Sequence, residues 1–235
     1  MTQYRRRQDT GTIQWQPTIY GRSHLGTSLE VWKPAGNCEL LIHAGIHGEE
    51  AETTIALSRA LRMLTDSSPH CAIVLAVNPD GLNRGTRGNA RGVDLNRNFP
   101  TTDWKPDPVE YRSTLDDPRD VRLSPGSSPA SEAEVRALIR LIGELQPKDV
   151  VALHAPLACI DDAKQGPLAH WLAERTGLEL VADVGYPTPG SFGTWGAEQG
   201  IGVVTYEFPL TTIDALVREH VPVLAELLTG EVSWS

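Results

Sequence analysis

The residues most able to do chemistry are a histidine and a glutamate, His47 and Glu50, which lie three positions apart around a glycine. They follow an apolar run at 39–46 and precede an amphipathic pattern, so they lie where a strand ends and a helix begins. An imidazole and a carboxylate at so short a turn can bind one metal ion. The same spacing also occurs in ordinary surface turns, and His43, inside the strand, is either an alternative ligand or a buried core residue.

Further polar residues lie at or near the ends of apolar runs: Asn78, Pro79, Asp80, His154 and Glu207. Ligands of open α/β sheets bind at the carboxyl ends of parallel strands, so we expect these residues to lie close together. Catalytic zinc takes three nitrogen or oxygen ligands, and His47, Glu50 and His154 supply such a set. Glu207 is either an ion-paired strand residue or a general base, and beside a metal site we expect the base.

The segment 84–97 carries four arginines and a single acid, Asp94, in a chain whose net charge is −9. Arginine binds carboxylates through paired hydrogen bonds, so the segment predicts a pocket for an anionic group of a substrate. The alternative is a solvated run of charge on the surface. Asp94 is a candidate for the acid that accepts the second N–H of a ligand histidine.

The composition limits the possible partners and the cell compartment. The chain has 30 acidic and 21 basic residues, and this excess of acidic residues argues against nucleic acid or an anionic membrane as the main partner. No apolar run is long enough for a membrane span, and the basic residues in 1–10 precede no apolar segment of a secretory signal. Three cysteines without a Cys-x-x-Cys pair indicate free thiols and a cytoplasmic location.

Strand patterns alternate with helical ones, which predicts a single domain over residues 1–235. We expect strands at 28–32, 39–46, 71–77, 150–153, 178–184 and 201–208, and helices at 49–64, 131–147, 166–176 and 212–228. The predicted fold is a three-layer α/β/α sandwich with a mostly parallel mixed sheet. We also expect a hairpin between the first two strands, a capping box of Ser131 with Glu134, and a long irregular segment at 78–129.

Several motifs resemble, in order, those of the zinc carboxypeptidase superfamily. They are His-Gly-Glu-Glu at 47–50, Asn-Pro-Asp-Gly at 78–81, Asn-Arg-Asn-Phe at 96–99, the strand-end His154 and Tyr-Glu-Phe at 206–208. Residues 154–162 and 185–195 are most similar to the branch that trims cell-wall (murein) peptides in the cytoplasm. That resemblance implies a single zinc ion and hydrolysis of the bond between γ-D-glutamate and meso-diaminopimelate in the murein tripeptide.

The resemblance also implies a role for individual residues. It makes His47, Glu50 and His154 the zinc ligands and Glu207 the general base. Asn96 and Arg97 are the residues that bind the substrate carboxylate, and Tyr186 is the residue that closes over the substrate. Asp94 is the acid that contacts the first ligand histidine. Arg87, in preference to Arg84, is expected to stabilise the oxyanion. Two departures from the digestive carboxypeptidases stand out, Ala155-Pro156 after His154 and Gly193 in the side-chain pocket.

Two other functions fit parts of these motifs. An acyl-amino-acid deacylase of the desuccinylase type shares the zinc motif and the Asn96-Arg97 pair, but Tyr186 and the loop that follows it favour the peptidase. A non-catalytic binder of cell-wall peptide is the second alternative. The intact Glu50, His154 and Glu207 argue against a binder, because degenerate relatives tend to lose a ligand or the base.

Overall fold

The structure, a computed structural model, describes residues 11–112 and 120–230. Its strands are β1 (Thr18–Arg22), β2 (Ser28–Val31), β3 (Leu40–His43), β4 (Cys71–Val74), β5 (Val109–Arg112), β6 (Asp120–Leu123), β7 (Asp149–His154), β8 (Leu157–Asp161), β9 (Glu179–Val181) and β10 (Gly202–Pro209). Its helices are α1 (Ala51–Leu61), α2 (Pro79–Arg84), α3 (Ala133–Leu145), α4 (Pro167–Thr176), α5 (Phe192–Glu198), α6 (Ile213–Glu219) and α7 (Val221–Thr229), with a 3-10 turn at Leu95–Arg97.

The central sheet has six strands in the order β4-β3-β7-β10-β8-β9. The first four of these are parallel to one another, and β8 and β9 run in the opposite direction. Every residue of β3 and β4 is buried, which explains their uninterrupted apolar sequences, since strands covered on both faces need no polar side. The predicted mixed, mostly parallel sheet is confirmed.

Helices cover both faces of the sheet. On one face α1, α4, α6 and α7 contribute residues such as Leu57, Leu172 and Leu224 to a core, and on the other α3 and α5 contribute Leu138 and Trp195. The three-layer α/β/α arrangement is therefore confirmed. It leaves the carboxyl ends of the parallel strands uncovered at one edge, which is where ligands bind in such sheets.

The expected hairpin between the first two predicted strands is wrong. Strand β2 pairs with β1 in antiparallel register and not with β3. The reason is that β4 and β7 occupy both edges of β3, so no edge remains for β2. Beyond β2, Trp32 makes a single bridge to Ile73 in β4.

The segment at 78–129 is more ordered than expected, since it contains α2, the 3-10 turn and the antiparallel pair β5–β6. Asn78 starts α2, because its Oδ1 accepts the Gly81 N–H at 2.9 Å and Pro79 suits the first helical position. The sequence patterns also missed β8. The chain reverses direction after β7, and β8 then pairs antiparallel to β10.

Two predicted helix features differ from the structure. The capping box is wrong, because α3 follows Glu132 and the Glu134 carboxylate accepts the His24 N–H instead. The last helix is divided in two at His220, with Pro222 in the first turn of α7. Among the residues that the structure describes, every helix is too short or too polar to cross a bilayer. The prediction for residues 1–10 lies outside the described residues.

Candidate metal centre

Three buried side chains meet at the carboxyl edge of the sheet. His47 lies in the turn after β3, Glu50 occupies the N-cap position of α1, and His154 is the last residue of β7. The Glu50 carboxylate lies between the two imidazoles, with Oε1 2.7 Å from His47 Nδ1 and Oε2 3.1 Å from His154 Nδ1. The potential ligand atoms lie within 4.8 Å of one another, and no other group of this kind occurs in the described residues.

This donor set fits zinc. Two imidazole nitrogens and one carboxylate oxygen are the ligands of a common catalytic zinc site, which keeps a further position open. The three side chains are almost fully buried, so water competes little for them. Burial alone would raise the pKa of Glu50, but His47 and His154 lower it more, and the pKa lies well below its ordinary value. The carboxylate of Glu50 is therefore ionised and able to bind a cation.

Backbone contacts hold the turn that carries His47 and Glu50. Asn78 Nδ2 donates to the carbonyls of Ile46 and Arg87, each at 3.3 Å, and the Gly48 N–H donates to the Arg87 carbonyl at 3.3 Å. These bonds join the turn to the loop that bears Arg87. Asn78, expected at the reactive edge, thus has a structural part in the site.

Gly48 has no room for a side chain. A Cβ at this position would lie 2.1 Å from the carbonyl carbon of Gly81, a backbone atom that cannot move aside alone. We expect Gly48→Ala to lower the free energy of unfolding by about 1–3 kcal/mol and to weaken metal binding, because the turn must shift. Thermal unfolding and metal content measure both effects. Gly193→Ala is the matched control, since a Cβ there meets nothing nearer than 4.0 Å; equal unfolding temperatures for the two variants would contradict the prediction.

Asp94 and Arg87 form a second layer around the ligands. Asp94 Oδ1 lies 3.3 Å from His47 Nε2, which orients the ring so that Nδ1 faces the other ligands. Arg87 Nε donates to Asp94 Oδ2 at 2.9 Å, and its Nη1 lies 3.7 Å from Glu50 Oε1. Burial would raise the pKa of Asp94, but Arg87 and His47 hold it well below its ordinary value.

The second arginine considered for the oxyanion, Arg84, lies elsewhere. Its side chain is exposed at the end of α2, and its Nη1 donates to the Ala90 carbonyl at 3.5 Å. Arg87, by contrast, is mostly buried against the ligand carboxylate. The geometry therefore favours Arg87 over Arg84 as the arginine that could stabilise an oxyanion beside His47, Glu50 and His154.

Glu207 lies on β10 directly beside His154 in the parallel register of β10 and β7. One carboxylate oxygen, Oε2, accepts the Leu157 N–H at 3.3 Å, which leaves the other oxygen able to accept a proton. Burial raises the pKa of Glu207 and Glu50 raises it further, although His154 acts in the opposite direction. A carboxylate with a raised pKa beside a metal group is suited to general-base work.

A cleft of about 1590 Å³ opens above these residues, and the three expected substrate contacts line it. Asn96 Oδ1 accepts the Phe192 N–H at 2.8 Å, which leaves its amide NH₂ group to donate. Arg97 is almost fully buried, donates from Nη1 to the Asn96 carbonyl at 2.7 Å and has no partner for Nε among the described residues. Tyr186, at 52% exposure, lies on the rim of the cleft.

His43, the alternative ligand, is fully buried in β3, and neither ring nitrogen has a hydrogen-bond partner in the described part of the chain. Its ring packs edge-on against Phe192 at a centroid distance of 4.9 Å. Burial, with His154 and His47 nearby, lowers its pKa to about 3, so the ring is neutral. His43 is a core residue beneath the site.

Some polar residues that support the site were assigned no role from the sequence. Asn98, next to Arg97, is buried and donates to the Pro125 and Ser128 carbonyls at 2.7 and 3.0 Å. Asn89 donates to the buried carboxylates of Glu132 and Glu134 at the start of α3, at 2.9 and 3.3 Å. These bonds hold the loop that carries Arg87. These partners are more than 20 residues apart in sequence, so only the folded chain brings them together.

Comparison with known proteins identifies relatives over most of the chain. The family model for zinc carboxypeptidase matches residues 12–157. Murein peptide amidase A of Escherichia coli K12 is 45% identical over 232 residues, which cover 97% of this chain and 96% of the relative. The protein of the same name from Vibrio campbellii is 43% identical over 216 residues, covering 90% of this chain and 87% of the relative.

Solved structures agree with this grouping. The crystal structure of a murein-tripeptide amidase from Escherichia coli O157 has a TM-score of 0.91 at 43% identity, covering 99% of this chain and 100% of that chain. Thrombin-activatable fibrinolysis inhibitor has a TM-score of 0.68 at 18% identity, covering 92% of this chain and 70% of that chain. The second match shows a shared fold alone.

Proposed function

The chain belongs to the zinc carboxypeptidase family, and on that premise we propose that it is a zinc-dependent amidase of murein peptides. The bond it cleaves joins γ-D-glutamate to meso-diaminopimelate in L-Ala-γ-D-Glu-diaminopimelate. The observation that carries this proposal is the buried group of His47, Glu50 and His154 at the floor of a large cleft, in a chain whose relatives over nearly its whole length are murein peptide amidases.

In this proposal His47, Glu50 and His154 hold one zinc ion. When bound, zinc supplies a Lewis acid that polarises the scissile carbonyl and lowers the pKa of a water from about 15.7 to about 7. Asp94 keeps His47 in the tautomer whose Nδ1 lone pair faces the ligand group, through the contact to Nε2. The chain's own residues then carry out the proton transfers.

Glu207 takes a proton from the attacking water and later delivers it to the amine of diaminopimelate as the C–N bond breaks. The carboxylate ends each turnover ionised again, so one water is consumed and one amine and one carboxylic acid are formed. Arg87 donates to the carbonyl oxygen as negative charge develops on it. Its hydrogen bond to Asp94 holds the guanidinium in place before substrate arrives.

Arg97 and Asn96 bind the free carboxylate next to the scissile bond. We expect Arg97→Ala to raise KM for the tripeptide by about 10- to 100-fold, because a buried charge-assisted hydrogen bond is lost. The test is steady-state kinetics on the tripeptide and on an analogue in which the carboxylate of diaminopimelate next to the scissile bond is replaced by a carboxamide. The carboxamide should be cleaved equally by wild type and variant, and an unchanged KM for the tripeptide would remove Arg97 from substrate binding.

We also propose that residues 1–235 act as one catalytic domain in the cytoplasm, in the recycling of cell-wall peptides. The free cysteines Cys38, Cys71 and Cys159 support a reducing compartment. A short peptide is the expected partner, because the cleft is lined by residues able to bind a carboxylate and a polar side chain.

The decisive experiment incubates purified protein with the tripeptide, with and without 1,10-phenanthroline, and identifies the released amine by mass spectrometry. Release of diaminopimelate that stops with chelator and returns with zinc supports the proposal. Cleavage of N-succinyl amino acids in place of the tripeptide would identify the deacylase instead. Tight binding of the tripeptide without cleavage, in protein that contains zinc, would identify a binder.

A further inference from the structure

Beyond the ligand group, β8 and β10 form part of the floor of the cleft. In their antiparallel register Glu207 lies opposite Cys159, and Thr205 lies opposite Asp161. Paired residues on neighbouring strands project from the same face, as do residues two apart on one strand. Asp161 and Thr205 therefore share the face of Glu207, and all three line the cleft.

Among the described residues, the carboxylate of Asp161 differs from those of the neighbouring acids in accepting no hydrogen bond. Both carboxylate oxygens of Asp162 accept backbone N–H groups of the following loop, at 2.9 and 2.7 Å. Asp183 is exposed and accepts the Gly185 N–H at 2.7 Å. Within residues 11–112 and 120–230, nothing donates to the carboxylate of Asp161. Its oxygens are thus available to a ligand.

A half-buried carboxylate without a partner is costly unless a cation comes to it. Burial raises the pKa of Asp161, and Asp162 and Asp183 raise it further, while His154 lowers it. Three carboxylates, those of Asp161, Asp162 and Asp183, and one lysine, Lys164, line this end of the cleft, so the net charge of these side chains is negative. This contrasts with the end lined by Arg87 and Arg97, which suits a carboxylate.

The distances suit a side chain with a distal ammonium. The Asp161–Thr205 pair lies two residues along the strands from Glu207, which is about 7 Å at the usual rise per residue. From the α-carbon of diaminopimelate to its distal nitrogen, the extended side chain spans about 6 Å. Gly193 keeps the space open, since a Cβ there would meet nothing nearer than Ser191 Oγ at 4.0 Å.

We propose that Asp161 binds the ammonium at the far end of the leaving residue's side chain and so determines specificity for diaminopimelate. This inference rests on the proposed function and names a residue that sets substrate preference in the same cleft. Asp161 touches the distal end of the substrate and not the scissile bond, so its effect is on the choice of substrate.

The test compares three tripeptides of the form L-Ala-γ-D-Glu-X, in which X is diaminopimelate, lysine or norleucine. Lysine keeps the distal ammonium at the same distance, and norleucine lacks it. We expect Asp161→Asn to lower the ratio of kcat/KM for lysine over norleucine by about 10- to 100-fold, with a similar fall for diaminopimelate over norleucine. The ratio does not depend on the fraction of folded enzyme, because the same active sites cleave both substrates.

Glu179→Gln is the matched control, because it removes the same charge from an exposed position on the adjacent strand β9, outside the lining of the cleft. It should leave the ratios within about twofold of wild type, as expected for a screened surface charge. Unchanged ratios in Asp161→Asn, or equal losses in both variants, would overturn the inference. Failure of wild type to cleave any tripeptide would overturn the proposed function, and the inference with it.

Discussion

Replacing Glu207 with glutamine is expected to lower kcat on the murein tripeptide by a factor of about 100 to 10,000 while zinc remains bound. The amide has nearly the shape of the carboxylate, and its oxygen can still accept the Leu157 N–H. It cannot take a proton from water, however, so the step before carbonyl attack loses its base. Because His47, Glu50 and His154 are untouched, the metal site itself should be intact.

Two measurements separate loss of the base from loss of the site. Zinc content per chain should equal that of wild type, and steady-state kinetics should show the fall in kcat with little change in KM. Glu179→Gln, the same substitution at an exposed position on β9, is the control and should leave kcat near wild type. Near-normal turnover by Glu207→Gln would refute the assignment of the base, whereas zinc-free protein would show that Glu207 supports the metal site instead.

The sequence predicted those parts of the site that follow from strand ends. His47, His154 and Glu207 each lie at or near the end of an apolar run, and parallel strands bring such ends to one edge of the sheet. The sheet and the helices that cover it could be predicted because strand patterns alternate with helical ones along the sequence. The roles of individual residues came from the resemblance of several motifs, in their order, to those of a known superfamily. The spacing alone could not assign them, since His-x-x-Glu is common in turns.

Other features depend on contacts that no local pattern records. Strand β8 is five residues long and antiparallel to β10, so neither its length nor its register could be read from periodicity. The position of Asp161 on the same face as Glu207 follows only from that register. Gly48 is required because the backbone of α2 packs against the turn, a contact between residues more than 30 positions apart.

The site also shows how charge is balanced around a metal group in an acidic chain. Glu50 and Asp94 place two carboxylates on either side of His47, and Arg87 contacts both of them. Arg87 therefore offsets the negative charge that would otherwise oppose a developing oxyanion. Its shortest contact runs from Nε to Asp94 Oδ2 at 2.9 Å, and its Nη1 lies 3.5 Å from Glu49 Oε1 and 3.7 Å from Glu50 Oε1.

Arg87→Ala is accordingly expected to lower kcat by about 100- to 1,000-fold, the usual loss when one oxyanion donor is removed. Arg84→Ala, which removes an exposed arginine of the same cleft, should remain within about fivefold of wild type. Kinetics on the tripeptide must be read together with zinc content, because Arg87 also touches Asp94 and Glu50. Full zinc occupancy with a low kcat assigns the loss to the oxyanion. A large fall in Arg84→Ala together with normal turnover in Arg87→Ala would exchange the roles of the two arginines.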